Sequence, residues 1–247
     1  MRLSSPRTFG ELVDFQPAPL PAGAGETHGT TVLALMCADG VVTLADRRAT
    51  MGSLIMFDKA EKIVALDRWT VVAISGAYAR SIDVCRYLQH AFMYYERRNL
   101  QEISAQGKLM EISKALSENL QLASDGFGVF LPIAATYDRK ADQFGIYFFD
   151  MAGARFESAQ YACAGSGSER IRGIFEYALR DKGPWSDRSL DDVLEDGLRM
   201  LDIAADLDSA TGGVRKHLPS VCVLTADGAR VMDESEIRPF VDRVLQT

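Results

Sequence analysis

The sequence predicts an α+β fold, a four-layer αββα sandwich in which two antiparallel sheets pack face to face and a pair of helices covers each sheet. Segments of strand character and amphipathic helices follow one another in the order strands, two helices, strands, two helices, strands. Turns such as Asp39-Gly40 and Asp227-Gly228 join neighbouring strands, which indicates antiparallel hairpins. No repeat or linker interrupts this pattern, so we expect one domain over residues 30–247.

The first half of this domain is expected to contain two hairpins and one helix pair. The predicted strands lie at residues 31–37, 41–45, 62–66 and 69–75. Apolar residues then recur at helical spacing over residues 79–97 and 104–123. Two amphipathic helices in succession are suited to cover one face of a sheet.

The second half repeats the arrangement, with polar turns between its strands. The predicted strands lie at residues 128–137, 144–149, 155–157, 161–164, 220–226 and 229–232. The predicted helices lie at residues 168–180, 190–205 and 234–245. The final strands and helix follow the second helix pair and complete the sandwich.

The first 29 residues differ from the rest of the chain. Four prolines and the run Ala22-Gly23-Ala24-Gly25 allow only a short helical piece near residues 9–15, before a flexible approach to Gly29. Two interpretations are open, a leader removed on maturation or a disordered tail. Composition alone favours the tail.

Composition excludes several classes of function. The chain carries a formal net charge of −7, which does not suit a nucleic-acid binder. No apolar stretch approaches the roughly 20 residues that cross a bilayer, and the N-terminus lacks a secretory signal. We therefore expect a cytoplasmic protein that binds neither nucleic acid nor membrane.

The four cysteines, Cys37, Cys85, Cys163 and Cys222, lie far apart in the sequence. None forms a C-x-x-C pair or has a histidine nearby to complete a metal site. We expect buried thiols, no metal and no cofactor.

The common catalytic motifs are absent. The three histidines do not accompany a G-x-S-x-G elbow, and Gly165-Ser166-Gly167-Ser168 has the wrong spacing for one. H-E-x-x-H and phosphate-loop patterns are also missing. A serine–histidine triad, a metalloprotease and a nucleotide hydrolase are all poorly supported.

One chemistry that works without histidine remains, at Gly29-Thr30-Thr31. If Thr30 became the first residue, its α-amino group, with a pKa of roughly 7.7 to 8.0, could accept the hydroxyl proton. Gly29 would give the backbone the freedom for a tight turn, in which the Thr30 hydroxyl attacks the Gly29 carbonyl. On the tripeptide alone, however, two β-branched residues opening a strand are the simpler interpretation.

Two charged residues support the catalytic interpretation. Asp46 ends the second predicted strand, and Lys62 begins the apolar stretch that forms the third. An ammonium against the core needs a carboxylate partner, and Asp46 could be that partner. A buried lysine beside Thr30 would lower the pKa of the hydroxyl and discourage protonation of the amine. Lys59, in contrast, is expected to be solvated.

The chain resembles the β subunits of proteasomes, most of all the actinobacterial type, from Thr30 almost to its end. The motifs that carry the resemblance are Gly29-Thr30-Thr31, Ala45-Asp46-Arg47-Arg48-Ala49-Thr50-Met51-Gly52, Lys62, Ile74-Ser75-Gly76, Gly165-Ser166-Gly167-Ser168 and Asp208-Ser209-Ala210-Thr211-Gly212-Gly213. The family implies an N-terminal nucleophile hydrolase fold and self-processing between Gly29 and Thr30. It also implies assembly of stacked heptameric rings with α subunits, and a ring-shaped unfolding ATPase that supplies unfolded proteins.

The resemblance also implies roles for individual residues. Thr30 would be the nucleophile, and its new amine the base; Asp46 and Lys62 would support it. Further groups would orient the amine and a catalytic water (Ser166, Asp208 and Thr211) or stabilise the oxyanion (the N–H of Gly76). Thr50 and Tyr78 would pair with the substrate backbone, and the pocket before the cut would be lined by Ala49, Ala60, Val64 and Ile74.

Two positions depart from the family pattern. Thr211 stands where most members have serine, which keeps a hydroxyl and is expected to keep its hydrogen bond. Tyr78 stands where a small residue is usual, so its ring could narrow the cleft and change the cleavage preference.

Three alternatives stay open at this stage. Two share the chemistry, a simpler two-ring bacterial protease related to the proteasome and an amidase of the same nucleophile class. The third is a non-catalytic scaffold subunit, in which Thr30 would be an ordinary strand residue. The presence of Thr30, Asp46 and Lys62 as a set argues against the scaffold.

Overall fold

The computed structural model describes residues 29–52, 54–124 and 128–246. Two five-stranded antiparallel sheets form its centre. The first sheet contains, in spatial order, β10 (Tyr161–Gly165), β1 (Thr31–Cys37), β2 (Gly40–Ala45), β11 (Ser220–Thr225) and β12 (Gly228–Val231). The second contains β5 (Ile63–Asp67), β6 (Thr70–Ala73), β7 (Ile133–Asp138), β8 (Gln143–Phe149) and β9 (Arg155–Ser158).

Helices cover both outer faces of this pair of sheets. The helices that pack on the first sheet are α4 (Ser168–Lys182), α5 (Leu190–Leu207) and α6 (Glu234–Gln246). Those of the second are α1 (Tyr78–Asn99) and α2 (Ala105–Glu118), followed by the short α3 (Leu120–Ser124). A 3-10 turn at Trp185–Asp187 joins α4 to α5. The predicted four-layer αββα sandwich is confirmed.

The alternation of side chains along β1 explains the layers. Val32 and Ala34 face the other sheet, whereas Leu33 and Leu35 face the helices, and all four are fully buried. Valine and alanine recur between the sheets, and larger residues fill the space beneath the helices. β1 is therefore apolar on both faces from Val32 to Leu35.

Three local predictions were wrong. A short hairpin of β3 (Ala49–Met51) and β4 (Leu54–Phe57) was not predicted. The single helix predicted at residues 104–123 divides at Asn119, whose side chain accepts a hydrogen bond from Arg80 and donates one to the carbonyl of Gly128. The strand predicted from residue 128 begins only at Ile133, since Pro132 before it has no N–H to donate to a ladder.

Three further expectations concern the N-terminal residues, the cysteines and a possible membrane-spanning helix. The helical piece predicted near residues 9–15, and with it most of the leader, lies outside the described residues. The four cysteines are free and buried, as predicted. Within the described ranges no helix has the length and apolar character to cross a bilayer.

Candidate active site

Thr30 lies buried just before β1, with its hydroxyl directed at the residue before it. Thr30 Oγ1 donates to the carbonyl oxygen of Gly29 at 2.7 Å, and the Gly29 N–H donates to Oγ1 of Thr50 at 2.8 Å. A side chain on Gly29 would not fit, because its Cβ would lie 2.0 Å from the Cβ of Ala210. Glycine at position 29 thus lets the chain enter β1 in close contact with the loop around Ala210.

Asp46 follows β2 and lies beside the beginning of β1, since Asp46 N–H donates to the Thr31 carbonyl at 3.1 Å. Its carboxylate accepts four hydrogen bonds. One oxygen accepts from Lys62 Nζ and from the Thr31 N–H, both at 2.7 Å. The other accepts from the Gly212 N–H at 2.8 Å and the Arg48 N–H at 2.9 Å. Such a set fixes the carboxylate in one orientation.

Lys62 directly precedes β5, and only 2% of its side chain is exposed. The structure contains the ion pair with Asp46 that the sequence predicted. Burial lowers the pKa of Lys62, and the neighbouring Asp46 carboxylate offsets part of this effect. Lys59 is exposed, as expected. Of the two lysines in this segment, Lys62 alone lies against the site.

Asp208 follows the end of α5 and forms a second polar group. Its Oδ2 accepts from Ser166 Oγ at 2.6 Å and from Thr211 Oγ1 at 2.7 Å, and its Oδ1 accepts from the Ala210 N–H at 3.1 Å. Burial raises the pKa of Asp208, but these hydrogen bonds outweigh it and leave the pKa below its ordinary value. The structure thus brings together the three residues to which the family resemblance gave one role.

The two polar groups are joined to each other. Oγ1 of Thr211 lies 2.7 Å from Oγ1 of Thr31, whose own N–H binds Asp46. The Gly212 N–H, next to Thr211, binds the same carboxylate. The Asp46–Lys62 pair and the Asp208 group therefore both contact Thr31, the residue after Thr30.

The residues expected to bind substrate occupy three segments, around β3, around the start of β5 and after β6. A backbone hydrogen bond joins the last two segments, since the Ile74 N–H donates to the Lys62 carbonyl at 2.7 Å. Val64 and Ile74 pack in the cluster beneath the helices, and Ala60 is buried, whereas Ala49 is partly exposed. These positions are apolar or small, as the proposed pocket requires.

Gly76 lies in the segment between β6 and α1, and Tyr78 is the first residue of α1. Gly76 has a φ of +107°, and a Cβ there would lie 2.1 Å from the carbonyl oxygen of Val129. Only glycine fits this backbone conformation and this close approach. Tyr78 is half-buried as the first residue of α1. The roles expected of these two residues stay predictions.

Comparisons with known proteins identify the family of the chain. The family model described as "Proteasome subunit" matches residues 26–216. A "Proteasome subunit beta" from Streptosporangium roseum is 34% identical over 229 residues, which cover 92% of this chain and 79% of that protein. Another from Frankia casuarinae is 34% identical over 243 residues, which cover 97% of this chain and 86% of that protein. The chain belongs to the proteasome subunit family.

Its relatives identify it with the β subunits of bacterial proteasomes, as the sequence motifs predicted. Proteasome β subunits form part of a protease, and they assemble into rings with α subunits. The family match therefore favours the proteasome over the two-ring protease and the amidase.

Arg48 is a residue of this proteasome site that sequence reasoning missed. Its guanidinium donates to the carbonyl oxygens of Ser209 at 2.9 Å and Thr211 at 3.2 Å, and to the carboxylate of Asp58 at 3.0 Å. Lys216 binds the other oxygen of Asp58 at 2.6 Å. Arg48 thus ties the loop that carries Thr211 to the end of the β3–β4 hairpin. The residue stood inside a quoted motif, but nothing in the sequence indicated a contact 161 residues away.

Proposed function

We propose that this chain is the catalytic β subunit of a bacterial proteasome core particle, a threonine endopeptidase that removes its own first 29 residues and then cleaves unfolded proteins. One observation carries the proposal: the Thr30 hydroxyl donates to the Gly29 carbonyl at 2.7 Å, beside a buried Asp46–Lys62 pair. A scaffold subunit has no need of this arrangement. The mature catalytic domain would be residues 30–247.

Self-cleavage is supported by the contacts around Gly29. Thr30 Oγ would attack the Gly29 carbonyl carbon, the peptide C–N bond would break, and the hydroxyl proton would pass to the departing nitrogen, leaving an ester. Water would then hydrolyse the ester and release the leader and a free Thr30 amine. The hydrogen bond from the Gly29 N–H to Thr50 and the close packing on Ala210 hold the reacting carbonyl in place.

In the mature subunit the Thr30 amine would act as the general base, since its pKa of roughly 7.7 to 8.0 suits neutral conditions. The positive charge of Lys62 favours the alkoxide of Thr30 and disfavours protonation of the amine. Ser166, Asp208 and Thr211 would orient the amine and the hydrolytic water. The Gly76 N–H would stabilise the oxyanion, where glycine leaves room for the approaching carbonyl.

Substrate would bind as an added strand along Thr50 and Tyr78, with its side chain before the cut in the pocket of Ala49, Ala60, Val64 and Ile74. The uncharged lining of this pocket favours apolar side chains. The particle would consist of stacked heptameric α and β rings in the cytoplasm, and a ring-shaped ATPase would deliver unfolded protein. The chemistry described uses no metal or other cofactor.

Thr30→Ala and Thr30→Ser variants, co-expressed with the α subunit, test the proposal. Intact mass gives the N-terminus, native mass gives the assembly, and a fluorogenic peptide gives the activity. We expect the alanine variant to assemble with its leader attached and without peptidase activity, and the serine variant to retain some of both reactions. Normal processing of the alanine variant would eliminate Thr30 as the nucleophile. A full-length, inactive wild-type chain in assembled rings would instead support the scaffold.

A further inference from the structure

Thr31, the residue after the proposed nucleophile, is fully buried and bound at all three of its polar groups. Its N–H donates to Asp46 Oδ1 at 2.7 Å, and its carbonyl accepts from the Asp46 N–H at 3.1 Å. Its hydroxyl oxygen lies 2.7 Å from that of Thr211. From the sequence, Thr31 is expected only to open a strand.

The direction of the hydroxyl hydrogen bonds follows from counting protons. A threonine hydroxyl has one proton to donate. Thr211 donates its proton to the Asp208 carboxylate, which accepts only. Thr31 is therefore the donor to Thr211, and a chain runs from the Thr31 hydroxyl through Thr211 to Asp208. Each bond in such a chain polarises the next, so the Thr31 hydroxyl strengthens the hydrogen bond that Thr211 makes to Asp208.

Gly167 leaves the space that this hydroxyl pair needs. A Cβ at position 167 would lie 2.2 Å from Thr31 Oγ1 and 2.7 Å from Thr211 Oγ1. Both distances are far below van der Waals contact, so any larger residue would displace one of the two hydroxyls. The turn after β10 is thus shaped around the contact between Thr31 and Thr211.

We propose that the Thr31 hydroxyl is a positioning group for the reaction of Thr30. Through its backbone Thr31 is fixed to the Asp46–Lys62 pair, and through its side chain to the Asp208 group, so it links the two groups next to the nucleophile. The inference rests on the proposed function. Because Thr31 adjoins Thr30 in the chain, its hydroxyl acts on the orientation of the nucleophile. Thr31 is fully buried, so its hydroxyl does not itself touch the substrate.

The test compares Thr31→Val, which keeps the shape but removes the hydroxyl, with Thr31→Ser, which keeps the hydroxyl. Thr43→Val in the neighbouring strand is the matched control, because the buried Thr43 hydroxyl has no hydrogen-bond partner among the described residues. Rates are expressed per chain that begins at Thr30, counted by intact mass in assembled rings. We expect Thr31→Val to lower kcat about tenfold with KM within about twofold, in line with a lost hydrogen bond. Thr31→Ser and Thr43→Val are expected to stay close to wild type.

If the wild type is active and Thr31→Val has the same kcat, the inference is wrong but the proposed function stands. The same holds if Thr43→Val loses as much kcat as Thr31→Val does. An inactive wild type overturns the proposed function and the inference with it. If Thr31→Val does not assemble, Thr31→Ser and Thr31→Ala decide, because they differ by a single oxygen atom. Equal kcat values in that pair would also refute the role of the hydroxyl.

Discussion

Lys62 and Asp46 form a buried ion pair, with 2.7 Å between Nζ of the lysine and Oδ1 of the aspartate. The side chains are 2% and 0% exposed, so both charges have lost their hydration. In such pairs the cost of desolvation can exceed the Coulomb attraction. A protein in which apolar residues of similar size replace the pair is often at least as stable. Stability is therefore a weak reason for the pair to exist, and a role in chemistry beside Thr30 is a better one.

Lys62→Ala is expected to abolish peptide hydrolysis and self-processing. Loss of the ammonium leaves the Asp46 carboxylate buried without its cationic partner, which typically costs about 3–5 kcal/mol of stability. Lys59→Ala is the control, because Lys59 belongs to the same segment but is exposed, and a change within about 0.5 kcal/mol is expected there. Near-normal turnover in assembled Lys62→Ala rings would show that the charge is not needed for catalysis.

Thr50→Val is expected to slow removal of the leader about tenfold, because it removes the hydroxyl that accepts the Gly29 N–H at 2.8 Å. Thr50→Ser keeps the acceptor and should process at nearly the wild-type rate. The measurement is the half-time for conversion of the full-length chain to the form beginning at Thr30, followed by intact mass. Equal half-times for the valine and serine variants would count against positioning by this hydroxyl.

The sequence was sufficient to predict the features that depend on local pattern. Alternating and continuous apolar segments located β1 and β2, and a lysine at the start of an apolar strand indicated a buried cation that needed Asp46. The contact of Thr31 with Thr211 joins positions 180 residues apart. It depends on how the start of β1, the end of β10 and the end of α5 meet in the folded chain. No local sequence pattern indicates this arrangement.

Two of the wrong predictions concern features that no local pattern shows. The β3–β4 hairpin has few residues, and exposed apolar side chains such as Leu54 and Phe57 give it no alternating pattern. Asn119 ends α2 through tertiary hydrogen bonds to Arg80 and Gly128, and such partners are not visible in the sequence around it. At Asn119 local propensity was overruled by contacts made only in the folded chain, whereas the hairpin lacked a recognisable pattern.

Asp58→Asn is expected to destabilise the chain by about 1 kcal/mol at neutral pH, since it weakens hydrogen bonds from Lys216 and Arg48. Lys216 and Arg48 hold the pKa of Asp58 below its ordinary value. A carboxylate with a lowered folded pKa contributes stability above its unfolded pKa of about 3.9, and this contribution is lost as the pH falls through the folded pKa. The difference between wild type and variant in urea unfolding should therefore be full at about pH 7 and shrink below about pH 4. A difference that is equal at both pH values would contradict the assignment.

Tyr78→Ala tests whether the ring at the start of α1 narrows the substrate cleft. If it does, its removal should admit larger side chains and change kcat/KM unevenly across a panel of fluorogenic peptides. Tyr78→Phe keeps the ring without its hydroxyl and separates ring volume from hydrogen bonding. Tyr87→Ala, at a tyrosine of the same helix that is 51% exposed, controls for the loss of an aromatic residue from α1.

The competing role for Tyr78 is packing, either on its own helix or against a neighbouring subunit, where aromatic residues are common. Packing and cleft shape predict different results, because a loosened helix or interface lowers the activity on all substrates together. A re-ordered preference in Tyr78→Ala, with the wild-type order kept in Tyr78→Phe and Tyr87→Ala, would assign the ring to the cleft. A uniform loss, or weaker ring assembly by native mass with an unchanged order of preference, would assign it to packing.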